Sequence, residues 1–200
     1  MVLRKNVSAA GLSRKTQAQR RENTQKHVLN SAVRLFGSKG YANTSLDEIA
    51  ADAGQTITPI YHYFGNKLEL FRSVTELMEQ RLVERLEALD DKVPEELLPQ
   101  VWDTFIEVCR TPGFVQIVII DSPHFLGRER WQKTAVIEKV GELLSQHMSA
   151  DWIKNASLLD QELVMRMIVA SLAEAALMIG RFPDYDSNPI IRRLIELIID

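Results

Sequence analysis

Between Thr24 and Phe71 the apolar residues recur at helical spacing, but the pattern is cut at Gly40, at Gly54 and before Asn66. These cuts constrain the fold more than any other feature. Val28, Leu29, Ala32, Leu35 and Phe36 fall on one face of a first helix. Gly40 suits a left-handed helix stop, and Tyr41 can fold back onto the helix as the hydrophobic contact of that cap. In the following NTSLDEIAADAG, Thr44 or Ser45 can cap a second helix, with Asp47 or Glu48 three residues on to complete a capping box. Leu46, Ile49, Ala50 and Ala53 then point inward, and Gly54 ends the helix after about two turns. With Thr56 as the next cap, Pro59 lies in a first turn, where a missing N–H costs no intrahelical hydrogen bond. Ile60 and Phe64 can face the core, which leaves Ile57, Thr58, Tyr61 and His62 largely outward. Asn66 caps a fourth helix, with Lys67 at its first position and Glu69 as reciprocal partner.

Two short helices joined at a glycine, with the small Ala50 where they cross, form a helix-turn-helix; the second helix of that motif lies in the DNA major groove. The hydroxyl-bearing and aromatic outward face argues against an incidental hairpin in a bundle. Charge agrees. Residues 1–75 hold 11 Lys and Arg against 5 Asp and Glu, whereas residues 76–200 hold 13 against 22. A basic module attached to an acidic body suits a polyanion at one end only. Residues 1–21 carry Arg4, Lys5, Arg14, Lys15, Arg20 and Arg21 with no acid, which fits either a solvated tail or a flexible arm on phosphates.

The segments AVRLFGSKGY, TSLDEIAADAG and IYHYFGNKLELF, in this order and spacing, resemble the DNA-binding domain of the TetR family of transcriptional regulators. Gln55 departs from the pattern, which has an apolar residue after the turn glycine. The resemblance implies base reading by Ile57, Thr58 and Tyr61, and phosphate contacts by Thr44, Tyr63 and Lys67, with Thr56 at the helix start and His62 able to do either. Ile57 has no hydrogen-bonding group, so a base it reads would be thymine, through the methyl group.

A long helix is predicted in NKLELFRSVTELMEQRLVERLEALDD, with apolar positions Leu68, Phe71, Val74, Met78 and Leu82, and further helices at about residues 94–110, 113–121, 127–148, 158–181 and 188–199, punctuated by Pro94, Pro112, Pro123, Pro183 and Pro189. The last two are apolar on more than one face, which fits either a partner surface or a central core. The resemblance implies the former, a homodimer through a four-helix bundle using Leu172, Ala176, Ile191, Leu194 and Ile198. Arg166 and Glu174 interrupt the greasiest run, so no membrane span is expected. One cysteine, Cys109, and no apolar segment after Met1 suggest a reduced, cytoplasmic setting. Catalysis is not expected. Cys109 has apolar neighbours, His124 and Asp121 have no second His or Cys at ligand spacing, and no phosphate loop or serine elbow exists, so neither metal nor cofactor is anticipated.

The reading is thus an all-α protein with a basic flexible arm (1–21), a three-helix DNA-binding domain (22–71) and a larger helical ligand-binding and dimerisation domain (72–200). It would be a regulator of double-stranded operator DNA, most simply a repressor released by a small-molecule effector. Trp102, Phe105, Phe114, Phe125, Trp131 and Met165 are candidates for the effector pocket. The competing reading is a helical ligand-binding or protein-interaction module whose helix-turn-helix does not read DNA.

Overall fold

A computed structural model describes residues 16–89, 94–147, 157–182, 184, 189–190 and 193. Among them every regular element is helical. Helix α1 (Gln17–Lys39) begins seven residues before the expected Thr24, because Thr16 and Gln19 close a capping box of their own. Gln17–Arg21, expected in the arm, are therefore the first turn of α1, and the rest of the arm lies outside the described residues. Gly40 ends the helix at φ +78°, and the Tyr41 ring stacks 5.8 Å from Phe36. Helices α2 (Leu46–Asp52) and α3 (Ile57–Phe64) follow, then the long α4 (Lys67–Glu87).

The four helices close on one apolar centre. Val28, Ala32 and Phe36 of α1, Ile49 of α2, Ile60 of α3 and Leu70, Phe71 and Val74 of α4 are all essentially inaccessible to solvent. Phe36 and Phe71 meet edge to face at 5.2 Å, a favoured arrangement of ring quadrupoles. Asn66 caps α4 by accepting from the Glu69 N–H at 2.9 Å. The expected reciprocal bond from Glu69 gives way to a pair with Arg72 at 3.3 Å, one turn further along the same helix.

Helix α4 carries the core onward through Met78, Leu82 and Leu86 into the body. There it packs against α5 (Pro94–Cys109) and α7 (Ala135–His147). Residues expected as one helix at 113–121 form a π-helix, Val115–Asp121, which runs into the short α6 (Ser122–Phe125). The helix expected at 127–148 is divided into a 3-10 segment, Arg128–Lys133, and α7. Helix α8 (Leu158–Arg181) packs on α5 and the π-helix. The last expected helix falls mostly outside the described residues, as do Ile191, Leu194 and Ile198; residues 189, 190 and 193 are helical.

Of the dimer residues expected on α8, Ala176 needs correction. Ala176 is fully buried within its own chain, and Leu172 is half-buried on an internal cavity. Leu158, Leu159, Leu163, Met167 and Met178 are exposed instead. The apolar period was read properly, but a helix apolar nearly all round does not reveal which face the subunit keeps for itself. By length and composition α8 is also long and apolar enough to cross a membrane, with a mean hydropathy of 1.8 in its most apolar window, which the sequence reading did not anticipate. Its outer surface nevertheless carries a Glu162–Arg166 ion pair at 2.6 Å.

Candidate nucleic-acid interface

The interface is built outward from the α2 cap. Ser45, one of the two candidates, occupies the cap: its hydroxyl accepts from the Glu48 N–H at 3.2 Å, and its own N–H donates to Glu48 Oε2 at 2.8 Å. Lys39 completes the cluster, donating to Glu48 Oε1 at 2.7 Å. That bond, with those from Ser45, holds the Glu48 carboxyl at about 2, below the ordinary 4.5. Arg34 pairs with Asp52, so α1 grips α2 near both ends.

Gly54 turns the chain at φ +63°, a conformation that strains any residue with a Cβ, and Gln55 N–H donates to Ala50 O at 2.9 Å. This fixes the entry to α3. Thr56 stands at its N-cap and makes no side-chain cap bond, so the first-turn N–H groups of α3 have no side-chain acceptor from their own cap. Fully buried Ile60 pins the helix to the core, while Phe64 and Ile57 pack against the core half-buried. The free face is therefore Thr58, Tyr61 and His62 with Thr56 at its head, and Tyr61 is 53% exposed. Ile57, expected with this face, turns partly inward because it shares the apolar side of α3 with Ile60 and Phe64.

The expected phosphate-holding residues divide three ways. Thr44 is buried and its hydroxyl donates to Gly40 O at 2.9 Å, so it braces the turn and presents no hydroxyl outward. Its place just before the true cap directs it inward. Lys67 is half-buried with Nζ 4.2 Å from the centre of the Tyr41 ring and 3.5 Å from Ala42 O, and this burial lowers its pKa. Tyr63 is half-buried, 4.9 Å from His62 ring to ring, with the Arg21 guanidinium 5.4 Å from its ring centre. Arg21 had been assigned to the arm and not to this contact. The Thr16-x-x-Gln19 capping signature marks α1 as long enough to bring it there.

Beside the continuous α4, the head meets the body at a joint around Tyr41. Asp121, at the end of the π-helix, is buried and accepts from the Tyr41 N–H at 2.7 Å. The Tyr41 ring lies 4.3 Å from that of Phe125. Gly37 of α1 and Gly113 approach so closely that a Cβ built on Gly37 would fall 2.6 Å from Gly113 Cα. A glycine within a strongly helical pattern was the available signal for this contact. Asp121 is thereby a joint residue. The described residues hold no group of three or more His, Cys, Asp or Glu placed to bind a metal.

Of the proposed pocket residues, Phe105 and Phe114 line an apolar cavity in the body. Trp102 is buried beside Phe105, ring centres 6.1 Å apart, and does not line it, while Phe125 serves the joint with Tyr41. Both aromatics were drawn into packing, which is where long-range geometry competes with exposure to a cavity. The side chains of Trp131 and Met165 lie outside the described residues.

Residues 28–74 match the family described as bacterial regulatory proteins, tetR family, and residues 96–199 match the tetracyclin repressor-like C-terminal domain. The second match alone spans more than half of the chain. The chain belongs to the TetR family. Among TetR-type relatives, the HTH-type transcriptional regulator AcrR of Shigella flexneri is 37% identical over 100 residues, covering 50% of this chain and 46% of that protein. The HTH-type transcriptional repressor NicS of Pseudomonas putida is 32% identical over 122 residues, covering 56% and 55%. The chain thus spans about half the length of these curated relatives. The solved structure of the fatty acid degradation regulator FadR from Bacillus halodurans superposes with a TM-score of 0.68 at 17% identity over 94% of this chain and 97% of that one. At that identity the likeness concerns the fold.

Proposed function

We propose that the protein is a homodimeric, sequence-specific DNA-binding transcriptional regulator of the cytoplasm, acting as a repressor that releases its operator when a small molecule occupies the body. The observation that carries this reading is the free face of α3. Thr58, Tyr61 and His62 stand outward on a helix whose opposite side is pinned by buried Ile60 and which begins with uncapped N–H groups. Such a face offers hydrogen-bond donors, acceptors and an aromatic edge to base pairs, and helix-start N–H groups to phosphates. Arg21 beside Tyr63 and Lys67 at the start of α4 supply positive charge at its margin. Membership of a family of regulators supports the role, and the name of the relative NicS supports repression.

The exposed side of α8 supports a dimer. Leu163, Met167 and Met178 repeat along one exposed side, and covering them with a second copy removes apolar surface from water without inserting Arg166 or Glu174 into lipid. Two heads held this way meet successive major grooves about 34 Å apart.

The test is selection from a random duplex library at fixed salt, repeated with Tyr61→Ala. Wild type is expected to enrich a two-half-site sequence, and the variant to lose at least tenfold in affinity for it while melting within about 0.5 kcal/mol of wild type, as a surface substitution does. A wild-type chain that enriches nothing would favour the ligand-binding or protein-interaction module instead.

A further inference from the structure

Two spaces in the body meet at one side chain. A narrow cavity of about 40 Å³ lies between α4, α5, the π-helix, α7 and α8, and an open groove of about 450 Å³ lies between α4 and α5. Phe114, only 1% exposed, lines both. Taken alone the cavity has room for a few water-sized groups, each needing roughly 10–15 Å³. Phe114 is the described residue that the two walls share, so a ligand passing from the groove to the cavity has to move it.

The cavity offers no unpaired charge among the described residues. Among the described residues Glu79 is the one ionisable group on the cavity wall, and both its oxygens are taken by Arg130, at 2.7 and 2.6 Å. The other described residues of the wall are hydrocarbon, including Val118, Val169 and Ala173. On the groove, Arg85 is paired with Glu107 at 3.2 Å, and Arg81 and Glu84 line it as well. An ionic ligand moving from the groove into the cavity would give up hydration and leave Arg81 and Glu84 behind, with only the Arg130-paired Glu79 ahead on the described wall, a cost that grows with burial. An uncharged ligand meets no such barrier.

Phe114 also adjoins the head. It immediately follows Gly113, whose backbone is in contact with Gly37 of α1, and it immediately precedes the π-helix that ends at Asp121. Displacing its ring therefore loads the joint directly.

We propose that the effector is an uncharged, predominantly hydrocarbon molecule admitted from the groove past Phe114, and that the movement of Phe114 is what the head senses. This rests on the reading of the body as the effector site. The probes are toluene and benzoate, alike in shape but differing in charge at pH 7. Each is titrated into the full chain by calorimetry, with affinity for the selected duplex measured in parallel. Toluene is expected to bind saturably and benzoate at least tenfold more weakly. Ala173→Phe, which fills the cavity, is expected to weaken toluene binding at least tenfold. Phe114→Leu, which shortens the gate without adding bulk, is expected to speed toluene association severalfold, and keeps the test decisive if the filled variant does not fold. Benzoate binding as tightly as toluene, no toluene binding up to its solubility, or toluene binding indifferent to both variants overturns the proposal. Benzoate binding that Ala173→Phe blocks overturns the ligand class and leaves the body as effector site. Retained duplex binding by the free protein leaves the DNA-reading function standing in every case.

Discussion

Replacing Gly37 by alanine sets two effects of opposite sign against each other. Gly37 lies within α1, where alanine is favoured over glycine by about 1 kcal/mol. Its new Cβ would lie 2.6 Å from Gly113 Cα, whereas carbon atoms rest at about 3.5–4.0 Å. The neighbour is backbone and has no rotamer to change, so α1 and the 113 turn must part by about 1 Å. The Tyr41 N–H to Asp121 bond, now 2.7 Å, would stretch to about 3.7 Å, beyond hydrogen-bonding range. Losing a bond to a buried carboxylate costs about 1.5–3 kcal/mol, to which loosened Tyr41–Phe125 packing adds. The expected net is a loss of about 1–3 kcal/mol, or several degrees of melting temperature for a chain of this size. The assay is thermal and urea denaturation at equal protein concentration, since dimerisation couples stability to concentration. Asn30→Ala, on an exposed position of the same helix, is the control and should be neutral or slightly stabilising. A Gly37→Ala protein more stable than wild type by about 1 kcal/mol would refute the reasoning, because it would mean that the two backbones are not in contact.

Other outcomes can be stated more briefly. Glu48 has a folded-state pKa of about 2 against an ordinary 4.5, so its contribution is complete above about pH 4.5 and is lost as the pH falls through 2. Wild type should therefore melt above Glu48→Gln at pH 6 and converge with it near pH 2; a gap constant with pH would disprove the linkage. Burial pushes the Cys109 thiol up to about 12, so iodoacetamide at pH 8 should label it slowly in the native protein and rapidly in guanidinium. Equal rates would show that the site is open. Leu163→Glu and Met167→Glu, on the exposed side of α8, should give monomers in sedimentation velocity. Intact dimers in both would place the partner surface elsewhere.

What the sequence determined by itself was local. The stops at Gly40 and Gly54, the Asn66 cap, the bounds of α8 and the outward face of Thr58, Tyr61 and His62 could all be read. Each depends on partners within about four residues, whose spacing is fixed by the helix itself. The early start of α1 was equally local in the Thr16–Gln19 box. Ile60 and Phe64, four apart, share a face wherever the helix lies, whereas Ile57, three before Ile60 and four before Tyr61, could go to either side on spacing alone.

Tertiary structure decided everything that depends on which inward-facing side chains meet. Thr44 turned into the Gly40 carbonyl, Lys67 settled over Tyr41, and Ile57 joined the core side of α3, because the closure of four helices left those volumes to fill. Gly37 touches Gly113 and Asp121 holds Tyr41 across 80 positions of chain, a separation over which periodicity carries no information. The same holds for the cavity, whose wall is drawn from five elements and takes Phe105 and Phe114 while leaving Trp102 and Phe125 to packing. A helix face specifies only the direction of a side chain about its own axis; the partner it meets is set by where the other axes lie, and those positions are fixed by close packing of the whole body.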